Sequence, residues 1–291
     1  MMGGNDQQAY DRGTSLFSPD GRIYQVEYAR EAVSRGAPSV GVRTADGVVF
    51  VAMSRPSSTL MEAESIEKLH KLDDHVGTAS AGHVADARQL IDLARRQSQG
   101  NRLRYGEPVG VETLTKFITD HIQENTQRGG TRPYGAALLI GGVENGEPRL
   151  FAADPSGTPN EWKATVIGGG RKDIQEHLEA EWSDDLSLTG GIELGLAALA
   201  EHDDEFEPGD VAVATITEAD GYRTVPTEEV DEAFAAAGLV TASEDDPDEG
   251  ADDDETADTA QADEDADADE DADADGDADT ASGDSDTTDD E

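Results

Sequence analysis

Residues 10–35 read YDRGTSLFSPDGRIYQVEYAREAVSR. This stretch joins a polar turn to one amphipathic helix placed ahead of the first strand. Ser18-Pro19-Asp20-Gly21 predicts a turn, because proline presets φ while Asp and Gly tolerate the reversal. Ile23, Val26, Ala29 and Val33 then recur at helical spacing, and Gly36 is a natural stop. Such a helix carries an apolar stripe before any sheet exists to cover it. It must dock on something formed later, as a lid or an interface.

Downstream, two strands are expected over Ser39–Thr44 and Val48–Met53, joined by an Asp46-Gly47 hairpin signal. A polar excursion through Pro56–Glu64 leads into SIEKL (Ser65 to Leu69) and a strand pair near Leu69–Leu72 and His75–Ser80. Gly82 then opens a helix whose Val84, Ala87, Leu90, Ile91 and Ala94 share one face. A second helix, about Val111–Gln127, is expected to bury Leu114, Phe117, Ile118 and Ile122. Gly135–Val143 is almost purely apolar, which implies burial on both faces of a strand. Strands at Pro148–Ala153 and Lys163–Ile167 follow, then helices near Arg171–Trp182 and Thr189–Ala200. A hairpin over Asp210–Val225 and a helix over Thr227–Ala237 close the body. Strands, two helices, strands, two helices, strands is the order of two antiparallel sheets packed face to face under helix pairs, a four-layer α/β/β/α sandwich.

Charge divides the 291 residues into a body and a tail. From Thr241 onward there are 26 acidic residues and no Lys or Arg, out of a chain total of 66 acidic and 21 basic. The tail, residues 241–291, is an Asp/Ala/Glu/Thr/Gly run without an aromatic residue and is expected to stay disordered. The body keeps 40 acidic against 21 basic residues, so neither part suits nucleic acid. Pervasive acidity, with only five lysines, looks like adaptation to molar salt, where the Debye length is roughly 3 Å and self-repulsion is tolerable.

The absence of cysteine excludes disulfides and thiolate chemistry and suits a reducing interior. The first residues lack an apolar leader, and no apolar run approaches the ~18 residues of a membrane span. A cytoplasmic protein with no membrane partner is expected. Gly168-Gly169-Gly170 ahead of a helix lacks the full phosphate-binding pattern. Asp271, Asp273, Asp275 and Gly276 imitate a calcium loop, but Ser282 stands where the closing Glu belongs. The six histidines show no ligand spacing, so no metal or cofactor is expected.

Tyr10–Arg35 together with SIEKL, AGHVADAR (Ala81 to Arg88), GGTRPYG (Gly129 to Gly135) and DPSGT (Asp154 to Thr158) resembles proteasome α subunits of archaeal 20S type, in order and spacing, over about residues 10–238. The resemblance implies the N-terminal nucleophile (Ntn) hydrolase version of the αββα sandwich with an extra N-terminal helix. It implies a flexible gate segment at 1–9, an α-type domain at 10–240, and a non-catalytic role in a seven-membered ring. Implied partners are other α subunits, β subunits carrying threonine peptidase sites, an AAA-type activating ATPase and unfolded protein substrates. The β-type relatives need an N-terminal threonine and a nearby lysine. Alignment on Gly41 puts Ala37 where the threonine would be and Lys68 in the lysine's topological position.

Carried over residue by residue, the resemblance assigns Lys68, with Arg30, Gly36 and Gly82, to a pocket for ATPase C-termini. An ammonium suits a single carboxylate as a compact point charge. Tyr10, Asp11, Pro19, Glu27 and Tyr28 correspond to the gate cluster, and Arg128, Gly129, Gly130 and Thr131 to the pore annulus. Arg128 replaces the tyrosine of the archaeal pattern, so a charged rim is expected there. Two other readings remain: a catalytic Ntn hydrolase using Ser39, and an acidic chaperone-like binding protein suggested by the tail.

Overall fold

The computed structural model describes residues 17, 18, 21–56, 58–128, 130–203 and 205–239. The gate segment, Tyr10, Asp11, Pro19, Gly129 and the acidic tail lie outside the described residues. Gly21, at φ +73°, donates to the Ser18 carbonyl at 2.8 Å, and the Ser18 hydroxyl accepts from Arg22 N at 3.1 Å. These bonds lead directly into helix α1 (Tyr24–Ser34), whose Val26, Ala29 and Val33 are buried as their spacing predicts. Ile23 stands at its N-cap.

Two five-stranded, fully antiparallel sheets follow. The first contains β1 (Ser39–Arg43), β2 (Gly47–Met53), β8 (Ala164–Ile167), β9 (Val211–Thr217) and β10 (Gly221–Thr224), in the order β10-β9-β2-β1-β8. The second runs β3-β4-β5-β6-β7, from β3 (Leu69–Asp73), β4 (Val76–Gly82), β5 (Ala136–Glu144), β6 (Glu147–Ala153) and β7 (Pro159–Glu161). Helices α2 (Val84–Tyr105) and α3 (Val111–Gln127) connect β4 to β5, while α4 (Arg171–Glu181) and α5 (Leu188–Ala200) connect β8 to β9. Helix α6 (Thr227–Ala236) follows β10.

Three hydrophobic clusters account for this arrangement. One unites Val48, Phe50 and Ile216 of the first sheet with Ala79, Leu139 and Leu150 of the second. A second joins Leu138, Ile140 and Phe151 to Leu90 and Ile91 of α2 and Leu114, Ile118 and Ile122 of α3. The third joins Val40, Val49, Val51 and Val213 to Leu178 of α4, Leu196 and Leu199 of α5 and Phe234 of α6. Alternation along each strand therefore feeds one set of side chains to the other sheet and the next set to helices. All of β5 except Glu144 is buried, as its unbroken apolar run requires. Gly141 keeps the sheets close, since a Cβ there would come within 2.7 Å of Val48 and 2.9 Å of Phe50.

Three expectations need correction. Val84 is 65 % exposed rather than on the buried stripe of α2, because the first turn of that helix overhangs a cavity instead of the sheet. Phe117 is only partly buried beside the α3 core. Strand β7 was not expected, since it has three residues, begins with proline and gains its identity only by pairing with β6. Phe50, fully buried between the sheets, tests the packing: Phe50→Ala should lower stability by about 3–5 kcal/mol in denaturant titrations at constant salt.

Candidate functional site

Lys68 lies between a single 3-10 turn (Ala63–Ser65) and β3. Its carbonyl accepts from Ser80 N at 3.0 Å, and Ser39 Oγ donates to the Ser80 carbonyl at 3.0 Å, so β4 fixes the base of the side chain. The ammonium reaches across to the start of β1 and the end of β2. It donates to the carbonyl oxygens of Ala37 at 2.6 Å, Met53 at 3.0 Å and Pro38 at 3.1 Å.

Burial pushes this ammonium down to about 7. The carbonyls act in the opposite direction, because a neutral amine has only two hydrogens and would set its lone pair against the third oxygen. Three acceptors for three N–H groups favour the charged form. Ala37 occupies the end of this arrangement with no nucleophilic atom. The Ser39 hydroxyl is fully buried and committed to Ser80, and the backbone ahead of it runs through Pro38 and Gly36 into α1.

Lys68 stands in a cavity of about 400 Å³ whose walls include Gly36, Ala37, Met61, Ile66, Gly82 and Val84. The two glycines are there for close approach. A Cβ on Gly36 would lie 2.6 Å from Gly82 N, and one on Gly82, already at φ +97°, would lie 2.4 Å from the Gly135 carbonyl. The end of α1, the start of α2 and the start of β5 thus meet backbone to backbone. Arg55 also lines the cavity; it is held by Asp210 at 2.8 Å and by the Glu205 carbonyl at 2.5 Å. Sequence reasoning missed Arg55, whose partners lie about 150 residues away.

Lys68, Gly36 and Gly82 are therefore together, whereas within one chain Arg30 is elsewhere. Its guanidinium donates to Asp154 at 2.7 and 3.0 Å and to Glu27 at 2.8 Å, beside a separate cavity of about 370 Å³. Glu27 is thus engaged by Arg30 one turn along α1, and Tyr28 on the same helix is half exposed.

The loop after α3 brings Arg128, Gly130 and Thr131 together. Arg128 caps α3 with an exposed side chain, Gly130 adopts φ +84°, and the Thr131 hydroxyl is 2.9 Å from the Asn125 carbonyl and 2.7 Å from that of Arg128. The next residues are anchored to α2. Buried Asp86 accepts from Arg132 Nη1 at 2.6 Å, Arg132 Nη2 at 2.8 Å and Gly135 N at 2.8 Å. Burial opposes the charge on Asp86, but these donors outweigh it and hold the carboxyl below its usual range. Tyr134, also buried, meets His121 Nε2 at 3.1 Å. Among the described residues no group of three or more His, Cys, Asp or Glu could hold a metal ion. Nor is any helix there long and apolar enough to cross a membrane.

Two measurements check this geometry. Lys68→Met would leave three carbonyls without their donor and should cost about 1–3 kcal/mol in denaturant titrations. The depressed Asp86 carboxyl contributes stability above its unfolded value, and that contribution is lost as pH falls through the folded one. Asp86→Asn should therefore flatten the acid limb of stability against pH.

A family model of proteasome subunits matches residues 33–216, and the N-terminal signature of A-type proteasome subunits matches residues 10–32. Among curated relatives, the proteasome alpha 2 subunit of Haloferax volcanii is 64 % identical over 248 residues, covering 85 % of this chain and 98 % of the relative. The proteasome alpha 1 subunit of Haloarcula marismortui is 59 % identical over 255 residues, covering 87 % and 98 %. The proteasome alpha subunit of Halobacterium salinarum is 62 % identical over 231 residues, covering 79 % and 91 %. The signature lies on the turn and on α1, and the broader family match spans both sheets from the end of α1 to β9; the chain belongs to the proteasome alpha subunit family.

Proposed function

We propose that this chain is a non-catalytic subunit of the outer ring of a 20S proteasome, forming the gated axial entrance through which unfolded protein reaches threonine peptidase sites on β subunits. Family membership implies assembly with other proteasome subunits. The finer reading rests above all on one observation: the Lys68 ammonium is held on the carbonyl of Ala37. In an Ntn hydrolase of the β type, a lysine beside a terminal threonine assists proton transfer. Here the residue at that point is alanine, inside a continuous chain that continues back into α1. The two sheets with helices on their outer faces suit the αββα form of the Ntn fold.

Freed from acid–base chemistry, Lys68 serves as a docking cation. Its cavity combines one ammonium with an apolar wall from Met61, Ile66 and Val84, which suits a peptide C-terminus carrying one carboxylate and an apolar side chain. The partner is the C-terminal segment of an activating AAA-type ATPase, bound between neighbouring α subunits. Carboxylate binding would compete with the Ala37, Pro38 and Met53 carbonyls and loosen the lysine's hold on the segment after α1. Because α1 follows the turn of the gate cluster, that release offers a route from docking to gate opening. Residues 1–9 would close the gate, Arg128 to Thr131 would rim the pore, and the assembly would work in the cytoplasm.

In particles assembled with β subunits in molar salt, Lys68→Ala should abolish ATPase-stimulated degradation of an unfolded protein while rings still form. Undiminished stimulation would refute the docking role. Removal of residues 1–9 should raise ATPase-independent hydrolysis of long peptides and leave hydrolysis of tripeptide substrates unchanged. An unchanged rate for long peptides would refute the gate.

A further inference from the structure

The first turn of α2 has two uses. Gly82, Val84 and Ala87 line the Lys68 cavity, while Asp86, between the last two, is turned into the protein against the loop that follows α3. We propose that the Asp86–Arg132 pair braces the pore loop, residues 128–133, against the wall of the docking cavity, making Arg132 a positioning residue for substrate passage. This rests on the reading of that loop as the rim of the entrance.

Gly130, at φ +84° and with no heavy atom within 4 Å of the place a Cβ would take, adds no side-chain contact that would hold the loop. Among the described residues, the Thr131 hydroxyl bonds to the carbonyls of Asn125 and Arg128, which belong to the end of α3 and the loop itself. Within 128–133, Arg132 is the described side chain with a hydrogen bond reaching past the loop and α3, to α2. It does so with a bidentate fork, which fixes direction as well as distance. The chain beyond is held independently: Gly135 N donates to Asp86, His83 N donates to the Gly135 carbonyl at 2.8 Å, and Tyr134 meets His121.

Asp86 is 6 % exposed in its side chain, whereas that of Arg132 is 61 % exposed. An exposed arginine is not needed to bury α2 on its sheet, and Asp86 keeps the Gly135 N–H without it. Loss of the arginine should therefore release the loop rather than dismantle the body. Asp86 also shares the first turn of α2 with Val84, and Gly82 ends the strand that leads into it, so a ligand that moves the cavity wall moves the anchor of the rim.

The chain contains no cysteine, so Arg128→Cys supplies a site for a nitroxide that is unique on this chain, read in particles assembled with cysteine-free β subunits. Electron–electron distances across the ring should be narrowly distributed with Arg132 present and clearly broader with Arg132→Gln. Arg132→Lys, which keeps the charge but loses the fork, should fall between them. Entry of an unfolded protein without ATPase should change by about threefold or more in Arg132→Gln, the range expected when a coupled network is loosened. Tripeptide hydrolysis should stay the same. Asp86→Asn, which retains an acceptor for Gly135 N, should reproduce the broadening.

Distributions of unchanged width in both Arg132→Gln and Asp86→Asn would overturn the brace. So would failure of all three variants to assemble, because the pair would then be needed for folding instead. Distances too long for a ring of labels around the axis would refute the loop as rim, while the change in width would still judge the brace.

Discussion

The contact on which the site depends is the Lys68 ammonium with three backbone carbonyls. It joins the loop ahead of β3 to the start of β1 and the end of β2, and thereby ties the two sheets at the point where α1 enters the sandwich. Three acceptors match three ammonium hydrogens and favour the charged form, against the partial burial that pushes it down. The same bonds make the residue a clasp. Any carboxylate that engages it must take hydrogens from carbonyls in the connection between α1 and β1.

Around this contact the structure replaces side chains with backbone. Gly36 and Gly82 allow the end of α1 and the start of α2 to approach more closely than a Cβ would permit, and Gly82 in turn lies against the Gly135 carbonyl. Elements joined in this way cannot slide independently. The remaining geometry is held by short contact pairs, Arg30 with Asp154 and Arg132 with Asp86, both with two guanidinium nitrogens engaged. Such pairs suit an acidic chain related to proteins of haloarchaea, because molar salt screens over roughly 3 Å and weakens distant charges far more than contacting ones.

The sequence disclosed most of the framework because its signals are local. The stripe of α1, the Asp46-Gly47 hairpin and the unbroken apolar run of β5 each report on their own residues. Val84 misled because a helical repeat does not distinguish a core face from a cavity wall. Strand β7 was hidden because its identity comes wholly from β6. In the site, Lys68 and Ala37 could be connected only by aligning strands, and the three carbonyls that receive the ammonium have no side-chain signature at all. Arg30 was assigned to the Lys68 pocket by resemblance, and nothing local reveals that Asp154, 124 residues away, takes its guanidinium. Asp86 and Arg132 lie within the quoted motifs, yet their pairing across 46 residues follows only from the β4–α2 and α3–β5 connections.

On the proposed reading, Lys68 stands where a catalytic lysine would, with Ala37 in place of the nucleophile. Its charge, recessed in a partly apolar cavity beside the root of α1, is suited to recognising a terminal carboxylate and transmitting its arrival through backbone contacts. The most direct test is an electron-microscopic structure of the assembled particle bound to a synthetic peptide with the C-terminal sequence of the activating ATPase. The peptide carboxylate should lie within hydrogen-bond distance of Lys68 Nζ, with at least one of the Ala37, Pro38 and Met53 carbonyls released. A peptide bound elsewhere, or an ammonium still donating to all three carbonyls with the carboxylate out of reach, would contradict the docking role.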